Sequence, residues 1–157
     1  HLITQGCKDH RVFCNFGIIL IAIGNLKEAE VSTRKAIEIK PDYVEAHSNL
    51  GNILNDIGKL QEAELSYRKA IEIKPDYAKA YSNLGNILKD LGKSDQAELS
   101  YRKALELNPD LAEAHFNLGN ILKDLGKLKE SRLCSEKIMS LRSWSITGSY
   151  SFNYEMI

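Results

Sequence analysis

From Ala46 onward the chain settles into one rhythm of apolar and polar positions. Ala46, Leu50, Ile53, Leu54 and Ile57 fall on one face of a helix, so an amphipathic helix is predicted over residues 46–57. Gly58 follows directly, and glycine tolerates the left-handed conformation that closes a helix. A second helix is predicted from about Leu60 to Ile73, and Pro75 cannot continue it.

This two-helix unit recurs. Pro41, Pro75 and Pro109 stand 34 residues apart, and residues 44–77 and 78–111 align without a gap, agreeing at 22 of 34 positions. Residues 10–43 and 112–145 follow the same frame with more divergence. Gly24, Gly92 and Gly126 take the place of Gly58 in the other units. Small residues recur as well: Gly17, Ala29 and Ala36, then Gly51, Ala63 and Ala70, then Gly85, Ala97 and Ala104. A glycine inside a helix costs roughly 1 kcal/mol against alanine, so its repetition points to close helix packing. Tyr67 and Tyr101 are the large side chains expected opposite those gaps. Glu64–Arg68 and Glu98–Arg102 are i, i+4 pairs in the favourable order. One hairpin cannot bury its apolar face alone, so the units are expected to stack.

The pattern L-G-x-x-L (Leu50 to Leu54), A-x-x-x-Y-x-x-A (Ala63 to Ala70), then proline, at a 34-residue period, resembles the tetratricopeptide repeat from residue 10 to about 141. The resemblance implies an all-α fold, a right-handed superhelical solenoid of antiparallel helix pairs. In such a solenoid the first helix of each pair lines a concave groove. Residues 1–9 then read as the end of a preceding partial repeat, and 10–43, 44–77 and 78–111 as units one to three. Residues 112–141 form a divergent fourth unit, in which Ser131 and Ile138 replace the small residues, Ser135 the aromatic and Ser143 the proline. Residues 142–157 are a non-repeat tail or the start of a further domain. Within them Tyr150, Phe152 and Tyr154 alternate with Ser151, Asn153 and Glu155, a spacing suited to a strand.

Carried onto this chain, the family's groove side presents Asn49, Asn52 and Asp56, then Asn83, Asn86 and Asp90, then Asn117, Asn120 and Asp124. Spacings of three and four put each trio on one helical face, and stacking turns them into parallel ladders. Asn15 begins the first ladder, whereas Ile18 and Ala22 interrupt the other two. An asparagine amide offers donors and an acceptor, matching a peptide C=O and N–H whatever the ligand's side chains are. The N-L-G-N-x-L core is similar to the repeats of O-linked N-acetylglucosamine transferases, whose asparagines grip extended peptide backbone, and to other bacterial multi-repeat proteins. N-L-G-N is also common across tetratricopeptide proteins, so the asparagines equally fit a consensus solvated face. Asp56, Asp90 and Asp124 give the groove a negative rung, partly offset by Lys89 and Lys123, with Lys59, Lys93 and Lys127 nearby. A chaperone-tail clamp needs lysines and an arginine where this chain has Ser48, Ser82, Asn83 and Glu113; Lys79 alone fits.

Composition narrows the partners. Lysine plus arginine and aspartate plus glutamate number 21 each, so the formal net charge is zero and the basic excess of a nucleic-acid binder is missing. The longest apolar run, Ile18 to Ile23, is far too short to cross a bilayer, so no membrane partner is expected. Cys7, Cys14 and Cys134 are odd in number and lack C-x-x-C spacing, which fits reduced thiols and a cytoplasmic location. His1 opens the sequence, as in a processed chain or a fragment of something longer.

Catalytic chemistry, cofactors and metals are not expected. Ser66-x-x-Lys69 and Ser100-x-x-Lys103 match a nucleophile motif, but both sit at one repeat position with no supporting base. His47 and His115 share their slot with Tyr81 and Phe13, which marks a packing position. The expected function is a scaffold holding a protein or extended peptide through the asparagine ladders. The alternative is the substrate-presenting arm of a larger enzyme such as a glycosyltransferase. End-to-end self-association through the apolar Ile18–Ile23 end is a further expectation.

Overall fold

The structure, a computed structural model, describes residues 8–150, with the backbone alone over 142–150. Eight helices account for nearly all of them: α1 (His10–Ala22), α2 (Leu26–Ile39), α3 (Val44–Asp56), α4 (Leu60–Ile73), α5 (Ala78–Asp90), α6 (Ser94–Leu107), α7 (Ala112–Asp124) and α8 (Leu128–Tyr150). They pair as α1/α2, α3/α4, α5/α6 and α7/α8, and the second helix of each pair packs on the first of the next. The pairs wind into a right-handed superhelical solenoid. No helix among the described residues is long and apolar enough to cross a membrane.

Glycine makes each hairpin turn. Gly58 adopts φ +80°, its N–H bonds to the C=O of Asn55 at 2.9 Å, and the Lys59 N–H bonds to Leu54 C=O at 2.8 Å. Two otherwise orphaned carbonyls are thereby satisfied as the chain reverses. The other three hairpins repeat the device. The intra-helical glycines serve a different need. A Cβ on Gly51 would lie 2.7 Å from Tyr67 Cζ, and one on Gly85 only 2.6 Å from Tyr101 Cε1. Each tyrosine ring fills the space that its glycine leaves, and both rings are buried.

A continuous core follows through the last three pairs, built from Leu50, Leu54, Tyr67, Leu84, Leu88, Tyr101, Leu118 and Leu122. The first pair departs from it. Thr33 stands where Tyr67 and Tyr101 stand later, and Phe13, Cys14, Ala36 and Ala46 form a smaller cluster. In the fourth pair Gly119 faces Cys134 at 3.4 Å from an added Cβ, and Ser131 Oγ donates to the Gly119 carbonyl at 2.8 Å.

Helix α8 runs past residue 141, where the sequence pattern of the fourth unit ends. Ser143 occupies the slot of Pro109, and without proline nothing in the backbone stops the helix. Of the alternating stretch expected to suit a strand, Tyr150 is the last residue of α8, and 151–157 lie outside the described residues. So do residues 1–7 of the expected partial repeat.

On the outer side, ion pairs join successive units. Lys59 reaches back to Glu30 at 3.1 Å, Lys93 to Glu64 at 2.7 Å and Lys127 to Glu98 at 2.8 Å. Arg34, Arg68 and Arg102 bind the same carboxylates from one helical turn away, and Arg34 and Arg102 also reach forward to Glu62 and Glu130. The Lys93 and Lys127 ammonium groups, aided by the arginines, hold the Glu64 and Glu98 carboxyls below the usual range. Burial pulls the Glu30 carboxyl up, but hydrogen bonds from Arg34 and Lys59 outweigh it and the net shift is downward.

Candidate functional site

The first helices of the pairs bring the asparagines to one side. A cavity of about 300 Å³ is lined by Ser48, Asn49 and Asn52 of α3, by Lys79, Ser82 and Asn83 of α5, and by Glu113 of α7. Tyr77 and Leu111, the residues just before α5 and α7, complete it. The second helices contribute nothing to this lining. Three of the expected groove residues, Asn49, Asn52 and Asn83, therefore share one cavity.

The asparagines are not equivalent. Asn52 Oδ1 accepts from Tyr67 Oη at 2.6 Å and from Asn83 Nδ2 at 3.2 Å. One unit on, Asn86 Oδ1 accepts from Tyr101 Oη at 2.7 Å and from Asn117 Nδ2 at 2.9 Å. Asn49 Nδ2 donates to the buried Cys14 Sγ at 3.3 Å. Each rung is thus tied to the preceding unit, and the two carbonyls that take two bonds apiece are filled. The Asn83 and Asn117 carbonyls accept nothing among the described residues, nor does Asn52 Nδ2 donate. Asn86 Nδ2 makes only a long bond, 3.4 Å, to Glu113. The cavity accordingly presents open acceptors at Asn49 and Asn83 and an open donor at Asn52, and Asn117 offers an acceptor one unit on.

Burial pushes the Tyr67 and Tyr101 phenols far above their ordinary value, so both remain protonated donors. This locks the two asparagines that they hold.

The ladder thins at both ends. Asn15 is exposed, and beside it Ile18 and Ala22 supply no polar group. Asn120 is exposed too, since Ser135 stands where a tyrosine would hold it. Asp56, Asp90 and Asp124 are exposed last residues of α3, α5 and α7, where they add to the negative end of each helix dipole. Lys89 and Lys123 lie in the last turns of α5 and α7 and offset part of that charge, Lys89 lying 3.9 Å from Asp90.

The remaining chemistry-bearing residues have structural occupations. Ser66 and Ser100 donate back to the carbonyls of Glu62 and Gln96 at 2.9 Å, and Lys69 and Lys103 pair with Glu72 and Glu106 at 2.7 Å. The Nε2 atoms of His47 and His115 tie the carbonyls of Pro41 and Pro109 at 2.8 Å, fastening each inter-unit loop. Burial raises the Cys14 and Cys134 thiols, which keeps them protonated. Among the described residues no three His, Cys, Asp or Glu side chains gather as a metal would require.

Tyr77 and Leu111 were not foreseen as cavity residues. The signal existed, because P-D-Y, P-D-Y and P-D-L recur at Tyr43, Tyr77 and Leu111, just ahead of each new unit. Lys74 lies 5.7 Å from the Tyr77 ring centroid, and its charge helps to fix the ring.

Known proteins bear on this geometry. A family model described as "TPR repeat" matches residues 51–92 and 85–126. Models described as "Tetratricopeptide repeat" match residues 33–64, and 10–43 with 112–143. Among solved structures the chain is similar to MamA, at 22% identity and TM-score 0.87 over 93% of this chain and 85% of that one. It is similar to YrrB, described as a TPR protein with an unusual peptide-binding site, at 23% identity and TM-score 0.78 over 98% and 84%. It is also similar to the first TPR of Spaghetti (RPAP3) bound to the HSP90 peptide SRMEEVD, at 26% identity and TM-score 0.74 over 75% and 94%. No curated protein matches the chain.

Proposed function

The chain belongs to the tetratricopeptide-repeat family, and from that premise we propose that its concave groove holds an extended segment of a partner protein by the backbone. The observation that carries this reading is the polar cavity between α3, α5 and α7, where asparagine amides with free donors and acceptors face one side. Equivalent helices of neighbouring pairs lie roughly 10 Å apart, and an extended chain advances about 3.3 Å per residue, so one rung meets about every third residue. Recognition by backbone makes the sequence preference loose.

Two structural relatives support a peptide ligand, since one carries a bound HSP90 peptide and the other a peptide-binding site. The chemistry here favours a neutral or basic segment over an acidic tail. Ser48, Ser82, Asn83 and Glu113 offer no cationic clamp, and the helix C-termini add Asp56, Asp90 and Asp124 along the rim.

The test is selection of random phage-displayed peptides on the full chain, followed by calorimetry with the selected peptides. Changing Asn49, Asn83 and Asn117 together to alanine removes three rungs at about 1 kcal/mol each, which weakens binding roughly 100-fold. Circular dichroism should show the helices intact. Unchanged affinity in the triple variant would rule out the ladder as the grip.

A further inference from the structure

The cavity between α3, α5 and α7 holds two opposite charges that the fold leaves unspent. Lys79 and Glu113 occupy one repeat position, in the first turns of α5 and α7, and both line the cavity. On the outer side of the solenoid Lys59, Lys93 and Lys127 are each bonded to a glutamate. Lys79 has no partner among the described residues, and Glu113 takes only the long bond from Asn86. Glu45 stands at the same position one unit earlier, exposed and without a side-chain partner among the described residues. The position therefore runs acid, base, acid through three successive units.

A buried hydroxyl distinguishes this cavity from a merely solvated wall. Ser82, one helical turn from Lys79, lines it and is 2% exposed, yet its Oγ has no hydrogen-bond partner. Ser66 and Ser100 avoid that state by donating to the carbonyl four residues back, a bond that Ser82 does not make. A buried hydroxyl left unpaired costs stability, and a ligand group that reaches it recovers the bond.

The open groups sort by sign. Toward α3 and α5 stand the donors Lys79, Ser82 and Asn52 Nδ2, with the positive charge on Lys79. On α7 stand the acceptors, Glu113 and one turn later the Asn117 carbonyl, with the negative charge on Glu113. Burial is the main cause that raises the Tyr67 and Tyr101 phenols, and the Glu113 charge adds to both, so that charge bears on the groove floor.

Resting on the backbone-binding reading above, we propose that this cavity selects a segment with an acidic and a basic side chain about three residues apart, the acid on Lys79 and Ser82 and the base on Glu113. A polyproline-II segment has about three residues per turn and rises about 3.1 Å per residue, so it returns a side chain to the same side after about 9 Å. Neighbouring first helices lie roughly 10 Å apart, which matches that return. A segment of one sign is disfavoured, because it meets its like at one wall or the other. Glu45 extends the pattern by a further basic residue on the far side of the acid.

The test titrates short synthetic peptides into the full chain by fluorescence anisotropy. They carry one Asp and one Arg at varied spacings, with neutral, two-Asp and two-Arg peptides as controls. Mixed peptides at about the three-residue spacing should bind about tenfold more tightly than neutral ones. Lys79→Glu should move the preference to two-Arg peptides, and Glu113→Lys to two-Asp peptides. Both side chains are exposed, so neither variant should alter the circular dichroism spectrum. Ser82→Ala should weaken the mixed peptide about fivefold without lowering the melting midpoint, since its hydroxyl bonds nothing in the free chain. Equal affinity for neutral and mixed peptides, or a ranking that Lys79→Glu leaves in place, overturns the proposal. The backbone reading survives that result if the Asn49, Asn83 and Asn117 variant still loses the peptides. Failure of every peptide to bind overturns both.

Discussion

Alanine at the intra-helical glycines separates helix propensity from packing, because the same substitution should have opposite signs at different units. Replacing glycine inside a helix gains roughly 1 kcal/mol from propensity alone. At Gly51 the new Cβ would sit 2.7–2.9 Å from three Tyr67 ring atoms, well inside the ~3.5 Å of an ordinary carbon contact. The ring cannot retreat, since it is 2% exposed and its hydroxyl is bonded to Asn52 at 2.6 Å. Overpacking of this kind costs about 1–3 kcal/mol, which leaves Gly51→Ala, and likewise Gly85→Ala, about 1 kcal/mol less stable than the parent. Gly119 faces Cys134 at 3.4 Å, so there the propensity gain survives and Gly119→Ala is neutral to stabilising. The separation between the two outcomes is about 2 kcal/mol, or roughly 4–8 °C in melting midpoint for a chain of this size. Thermal and urea melts followed by circular dichroism measure it directly. A Gly119→Ala loss as large as that of Gly51→Ala, or a raised midpoint for Gly51→Ala, would refute the reasoning.

Two further outcomes follow from the bonds across the junctions. Tyr67→Phe with Tyr101→Phe keeps both rings but removes the donors to Asn52 and Asn86, so urea melts should show a loss of about 1 kcal/mol per site. An unchanged midpoint would show that these hydroxyls do not hold the ladder. The Glu30, Glu64 and Glu98 carboxyls are depressed in the folded chain, so the stabilisation they give is complete above the unfolded carboxyl value near ~4.3 and fades as pH falls through the lower folded values. Melting midpoints taken down to pH 3 (roughly one unit below that unfolded value) should drop less steeply when all three are changed to glutamine. Equal slopes in parent and variant would remove the carboxylates from the account.

Much of the architecture was legible because it rests on local signals. Gly58 and Pro75 mark helix ends by their own backbone limits, and the repetition of Gly51 with Tyr67 is itself the signal of a close helix approach. The bond from Tyr67 to Asn52 was not legible, since it joins two helices through side chains whose directions the period does not specify. The asparagines were therefore expected to face a ligand with both of their groups, whereas Asn52 and Asn86 spend their carbonyls on the fold. The pairing of Lys59, Lys93 and Lys127 was not legible either, because their partners Glu30, Glu64 and Glu98 lie a whole hairpin away. The length of α8 escaped notice for the opposite reason. It follows from a proline that is missing rather than from a residue that is present.

The bonds across the junctions keep fixed separations along the chain. Lysine reaches glutamate 29 residues back, asparagine reaches asparagine 31 back, and arginine reaches glutamate 28 ahead. Every one of these is shorter than the 34-residue period and keeps its phase. Copying any 34-residue block of the regular units in place would therefore regenerate a complete junction on both sides, wherever the copy began. Gain or loss of whole units heals itself, while a change of half a unit leaves a lysine, an asparagine and an apolar helix face without their counterparts. Such a molecule grows by duplication without inventing a new interface.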